Sequence, residues 1–124
     1  MKLAEIQKVL EAEVLCCDDL LHRDISSCFA CDLISEMLLH VSPNTLVITS
    51  LTNIHVVHTA NVMDAVGVVF VGGKRPDAAA ILKSRTSNIP LLTTKHLIFE
   101  CCGRLYANGL IGNKRFMATP DVSG

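Results

Sequence analysis

The ten residues VVFVGGKRPD, Val68 to Asp77, decide how this chain is read. The apolar run is rich in β-branched valine and too short for a helix, so it predicts a buried strand. Two glycines break the run, and Pro76 suits the first turn of a helix carrying "DAAAILKSRTSN". The same strand–turn–helix unit recurs on both sides. Upstream, "TLVITS" (45–50) precedes "NIHVVHTANVMDA", with Thr52 or Asn53 in position to cap the helix. Downstream, "IPLLTT" precedes "KHLIFECCGRLYANG", with Thr93 or Thr94 as the cap and Gly109 as the stop. Strands that are continuously rather than alternately apolar, joined by crossover-length helices, belong to a parallel sheet covered on both faces.

The first third extends this core. Leu3, Ile6, Val9 and Leu10 recur at helical spacing, "EVLCC" and "ISSCFA" read as short strands, and "DDLLHRD" connects them. In "CDLISEMLLHV" the apolar positions form one helical face, with Asp32 standing where an N-cap would stand. These strands would add an edge strand or an antiparallel pair. The fold expected is an α/β domain over residues 1–110, three-layered α/β/α with a mainly parallel or mixed sheet. Residues 111–124 are expected to form an irregular tail.

Composition narrows the function. A formal net charge of −1 in 124 residues gives no drive toward nucleic acid or anionic membrane. Aromatic residues make up 4%, with no tryptophan, which argues against a base-stacking platform. No apolar run approaches membrane-spanning length, and "MKLAEIQKVLEAEV" has none of the layout of a secretory signal. The six cysteines include two adjacent pairs, Cys16-Cys17 and Cys101-Cys102, so buried thiols in a reducing cytoplasm are expected rather than disulfides. Half of the residues are hydrophobic, more than one small core absorbs, so a homodimer is expected.

Chemistry-bearing residues are sparse. Gly72 and Gly73 allow close backbone approach, the helix start that follows offers free N–H groups, and Lys74 and Arg75 add positive charge. Ligands of parallel sheets sit beyond the carboxyl ends of strands. Thr49 and Asn53, at the neighbouring strand end, join this candidate anion site together with Asp32. Neither GxxxxGK[ST] nor GxGxxG is present. Cys28 and Cys31 have CxxC spacing without a second ligand pair, and His55 and His58 lie three apart without an HExxH glutamate. No catalytic set, cofactor or metal is expected.

The segments "HRDISSCFACDLISEML", "LVITS", "VVFVGGKRPD" and "NIPLLTTKHLIFECCGRLYANG" together resemble DRTGG domains, a family similar to the amino-terminal domain of the bacterial HPr kinase/phosphorylase. The resemblance covers about residues 2–110. Its naming motif falls on His22–Cys28: Arg23 is retained, Ser26 replaces threonine, and Ser27 and Cys28 replace the two glycines. Those replacements hinder close backbone approach there. The resemblance implies a three-layer α/β/α fold and a regulatory or assembly module, of the kind that accompanies CBS modules, phosphotransacetylases and a regulated pyrophosphatase. Nothing resembles the kinase's catalytic domain. The leading expectation is a non-catalytic regulatory or scaffold module that self-associates. A small-anion or nucleotide sensor and a Cys28/Cys31 metal or redox protein are the alternatives. A partner enzyme or a phosphorylated small molecule is the expected further partner.

Overall fold

The computed structural model describes residues 1–113. Its elements are α1 (Leu3–Val9), β1 (Glu13–Cys16), a 3₁₀ turn (Asp18–Leu20), β2 (Ser27–Ala30), α2 (Ile34–His40), β3 (Thr45–Thr49), α3 (Ile54–Val62), β4 (Gly67–Phe70), α4 (Ala78–Ser87), β5 (Leu91–Thr93) and α5 (Ile98–Ala107). The strands form one five-stranded sheet in the order β1-β5-β4-β3-β2. Strands β2 to β5 are parallel, and β1 joins β5 antiparallel with a bulge between Val14 and Cys16. The first third therefore supplies both edges, one antiparallel and one parallel.

Period-two alternation in buried strands divides the core in two. Leu46, Ile48, Val69, Val71 and Leu92 pack with Leu3, Ile6 and Leu10, and with Cys101 and Leu105 of α5. Val47, Val68, Phe70 and Leu91 point the other way, into Met37 of α2, Val56 and Val57 of α3 and Ala80 of α4. Helices α2, α3 and α4 thus line one face and α1 and α5 the other, which is the three-layer α/β/α arrangement. The crossovers β2-α2-β3, β3-α3-β4 and β4-α4-β5 step across the sheet in one direction. No helix is long and apolar enough to cross a membrane among the described residues.

Helix ends refine the reading. Asn53 caps α3 by accepting from the His55 N–H at 2.9 Å. Helix α4 begins later than expected: Asp77 is its cap, accepting from the Ala80 N–H at 2.8 Å, and Pro76 lies before the helix, buried. Helix α2 starts at Ile34 with Leu33 in the cap position, so Asp32 is not its N-cap. Neither Thr93 nor Thr94 caps α5, whose cap position is Leu97. Their hydroxyls instead donate to the carbonyls of Lys74 and Leu10, both at 2.6 Å, tying β5 to its surroundings. Beyond α5 the N–H of Leu110 reaches the Leu105 carbonyl and that of Gly109 the Tyr106 carbonyl, each at 3.0 Å, around a left-handed Gly109 (φ 98°). This is the hydrogen-bond pattern of a Schellman stop, and Leu110 packs in the same cluster as Leu105.

Of the expected tail, residues 111–113 lie beside β2. The Cys28 N–H donates to the Ile111 carbonyl at 2.9 Å and Gly112 makes a parallel bridge with Cys28. Residues 114–124 lie outside the described residues.

Two phenylalanines separate core from surface. Phe70→Ala, at a fully buried position, is expected to cost about 3–5 kcal/mol. Phe99→Ala, at a residue 85% exposed, is expected to change stability by no more than about 0.5 kcal/mol in dilute protein. Urea denaturation of the two variants at low concentration checks both.

Candidate functional site at the carboxyl end of the sheet

Three loops meet where β2, β3 and β4 end. Asp32, just past β2, is held by the end of β3: Thr49 Oγ1 donates to Asp32 Oδ1 at 2.9 Å, the Ser50 N–H to Oδ1 at 2.7 Å and Ser50 Oγ to Oδ2 at 2.7 Å. Desolvation pushes the Asp32 carboxyl up, but the bonds from the Ser50 backbone, Ser50 hydroxyl and Thr49 hydroxyl, with the Lys74 charge, together hold it below the usual range. The side-chain ammonium of Lys74 makes no hydrogen bond or ion pair among the described residues. Asp32, Thr49 and Lys74 are therefore brought together, with Ser50 added. Asn53 opens α3 and spends its side-chain oxygen as the helix cap.

The glycine loop is tied down from the other side. Gly72 (φ 67°) and Gly73 (φ 71°) both adopt the left-handed conformation that favours glycine. Their N–H groups donate to the carbonyls of His96 and Thr94, both at 2.8 Å, and the Lys74 N–H donates to Val71 at 3.3 Å. The two glycine amides thus fasten the β4–α4 loop to the β5–α5 loop, and the Lys74 amide closes the turn within it. Arg75 makes two bonds to the Glu13 carboxylate on β1, at 2.9 and 3.0 Å. The hydrogen bond and charge of Arg75 lower the Glu13 pKa, and Glu13 raises that of Arg75.

Beside this loop lies a cavity of ≈ 460 Å³, walled by Gly73, Arg75, Lys95, His96, Glu11 and Glu13 and by the ends of Thr93 and Thr94. Glu11 Oε1 sits 2.9 Å from His96 Nε2 and 3.6 Å from Arg104 Nη1. The hydrogen bond from His96, then the Arg104 charge, keeps its carboxyl below the usual range. The exposed Lys95 ammonium has no hydrogen bond or ion pair among the described residues. Reading the sequence missed Glu11, Glu13, Lys95 and His96, because their convergence depends on β1 pairing with β5. The available signal was the acidic "EAE" entering an edge-strand candidate.

The remaining candidates are dispersed. Burial pushes the Cys28 thiol up to about 12, helped by the nearby Cys102 and Cys101. Cys28 packs against the α1–α5 cluster, whereas Cys31 Sγ bonds locally to Leu33. The CxxC cysteines thus have different surroundings. His55 and His58 line, with Ile34, Leu38 and Val62, a mainly apolar groove of ≈ 490 Å³ between α2 and α3. Among the described residues no group of three or more His, Cys, Asp and Glu side chains converges on a metal-sized site. The segment His22–Cys28 lies at the opposite, amino end of the parallel strands. There Arg23 Nη1 donates to the Asn88 carbonyl at 2.8 Å, Ser26 to the Asn44 carbonyl, and Ser27 Oγ lies 3.0 Å from Thr45 Oγ1. Arg23 is a clasp on the left-handed end of α4.

A mixed sheet with three helices on one face and two on the other, its loops knotted by paired charges at the carboxyl end, defines an α/β/α module. The chain belongs to the DRTGG domain family, whose profile matches residues 5–107. Among solved structures it is similar to the CBS and DRTGG domains of the regulatory region of Clostridium perfringens pyrophosphatase, complexed with its activator diadenosine tetraphosphate. The TM-score is 0.67 at 14% identity, covering 92% of this chain and 51% of that one, so the chain spans about half the length of that relative. Comparison with curated proteins gives no match.

Two outcomes follow. A carboxyl with a depressed folded pKa contributes stability above its ordinary 3.8 and loses it as pH falls through the lower folded value. Asp32→Asn is therefore expected to lower Tm at neutral pH and to flatten the loss of Tm on acidification below about pH 4. An unchanged acid limb would contradict the bonding described. Cys28 is expected to react with a disulfide reagent at pH 8 only after unfolding, as peptide mapping of the labelled protein reports.

Proposed function

We propose that this chain is a regulatory or scaffold module that acts by associating with a second copy and has no chemistry of its own. The observation that carries this reading is apolar surface left uncovered on helices. Leu97, Phe99 and Tyr106 are 69%, 85% and 74% exposed at α5, and Leu38, Leu39 and Val62 are exposed on the α2–α3 side. Uncovered apolar surface of this extent marks association sites. The regulatory setting of the structurally similar pyrophosphatase region supports the same reading. Sedimentation equilibrium from low to high micromolar protein tests it. A mass rising from one chain toward two is expected, and a constant single-chain mass overturns the reading.

A second reading is favoured by Lys74 and Lys95, two ammonium groups without a hydrogen bond or ion pair among the described residues at the carboxyl end of the sheet. They would hold the phosphates of a regulatory ligand beside the ≈ 460 Å³ cavity. The loop amides are occupied, so the side chains would supply the contacts. The exposed Arg75–Glu13 pair is of a kind that contributes little and exchanges easily. The activator of the pyrophosphatase region, a dinucleoside polyphosphate, is the natural first probe. Thermal shift with diadenosine tetraphosphate, ATP and pyrophosphate is the measurement. A true ligand at a hundredfold excess over Kd adds about 2.7 kcal/mol, and Lys74→Ala with Lys95→Ala removes the response. Absence of any shift, or a shift that survives both substitutions, overturns this second reading.

A further inference from the structure

Helix α5 carries apolar residues on two opposite sides. Cys101 and Leu105 face the sheet and are buried. Phe99, Cys102, Gly103 and Tyr106 follow at i, i+3, i+4 and i+7, a single stripe along the helix in which Phe99, Gly103 and Tyr106 are exposed and Cys102 is half-buried beside Cys28. Apolar residues on a second side of a helix call for a second packed layer, and no described residue supplies one here.

The stripe has an internal symmetry. Large residues stand at both ends and small ones in the middle, and the midpoint falls between Cys102 and Gly103. Glycine in a helix interior weakens the helix relative to alanine. No described residue explains its presence, since a Cβ on Gly103 would meet no described atom within 4 Å. A closely approaching backbone from outside does explain it.

We propose that α5 packs antiparallel on α5 of a second copy, about a two-fold axis passing between Cys102 and Gly103. This rests on the self-association reading and names its surface. Each Phe99 then lies against the copy's Tyr106, while the small central residues let the helix axes close up. A two-fold contact requires a self-complementary patch, and the large–small–small–large order supplies one.

The charges of α5 stay out of this contact: Arg104 pairs with Glu100 at 3.2 Å, donates to the Val9 carbonyl at 3.2 Å and lies 3.6 Å from Glu11, all on the side turned toward α1. Phe99 and Tyr106 belong to a residue class that buries about 150–250 Å² each. With Leu97 and Ile111 at its ends, the patch reaches the small class of interfaces, below about 1,200 Å² in total. A dissociation constant in the micromolar range is expected.

Sedimentation equilibrium of the full chain, with far-UV circular dichroism as the fold control, tests the surface. Gly103→Leu is expected to keep the helix and weaken the dimer by about tenfold or more. Phe99→Ala with Tyr106→Ala is expected to do the same without added bulk. Leu38→Ser with Val62→Ser, on the α2–α3 side, is expected to leave the dimer unchanged. A short-span bis-maleimide is expected to link two chains in wild type and not in Cys102→Ser. A wild-type chain that stays monomeric overturns self-association itself. A dimer that survives the α5 variants, or dissolves only in the α2–α3 variant, leaves self-association standing and overturns α5 as its surface.

Discussion

Burial of the sheet on both faces is the constraint from which the rest follows. Every residue of β3, β4 and β5 is buried, so successive side chains feed two separate cores and neither face of these strands is left to water. Polar groups are then confined to the strand ends, where they must find partners. They do: Thr49 bonds Asp32, Thr93 bonds the Lys74 carbonyl, Thr94 bonds the Leu10 carbonyl, and Ser84 bonds the Ile89 carbonyl. No buried side-chain oxygen or nitrogen lacks a partner among the described residues. The hydroxyls inside this core act as joints between loops and strands.

The parallel core was legible because its signal is local. Continuous valine- and leucine-rich runs separated by helix-length segments fix 45–107, and Asn53 and Gly109 mark their ends by backbone chemistry alone. Thr93 and Thr94 misled for the opposite reason. A threonine before a helix has the composition of a cap, but its hydroxyl went to a distant carbonyl that only the tertiary fold brings near. Asp32 is a similar case, drawn from the start of α2 to the end of β3. The pairing of β1 with β5 joins residues eighty apart, and no pattern in the first third encodes it. The cavity built on that pairing was therefore out of reach, although Gly73 and Arg75 on its rim were not.

Electrostatics at the carboxyl end is arranged in pairs. Arg75 with Glu13 and His96 with Glu11 each join a loop to the β1 side across the cavity mouth. Exposed pairs of this type contribute little stability. Their value is positional: they fix the edge strand against the loops beside it and leave the Lys74 and Lys95 ammonium groups without an ion pair among the described residues. The motif for which the family is named does comparable work at the far end, where Arg23 clasps α4.

The short contact between Cys28 and the Ile111–Gly112 backbone has a consequence for how this module meets other molecules. A parallel sheet with a bare outer strand invites an extended peptide to join it by main-chain pairing. Here that berth is already taken at its centre by the chain itself. Recognition by strand addition along β2 would first have to evict the segment after α5.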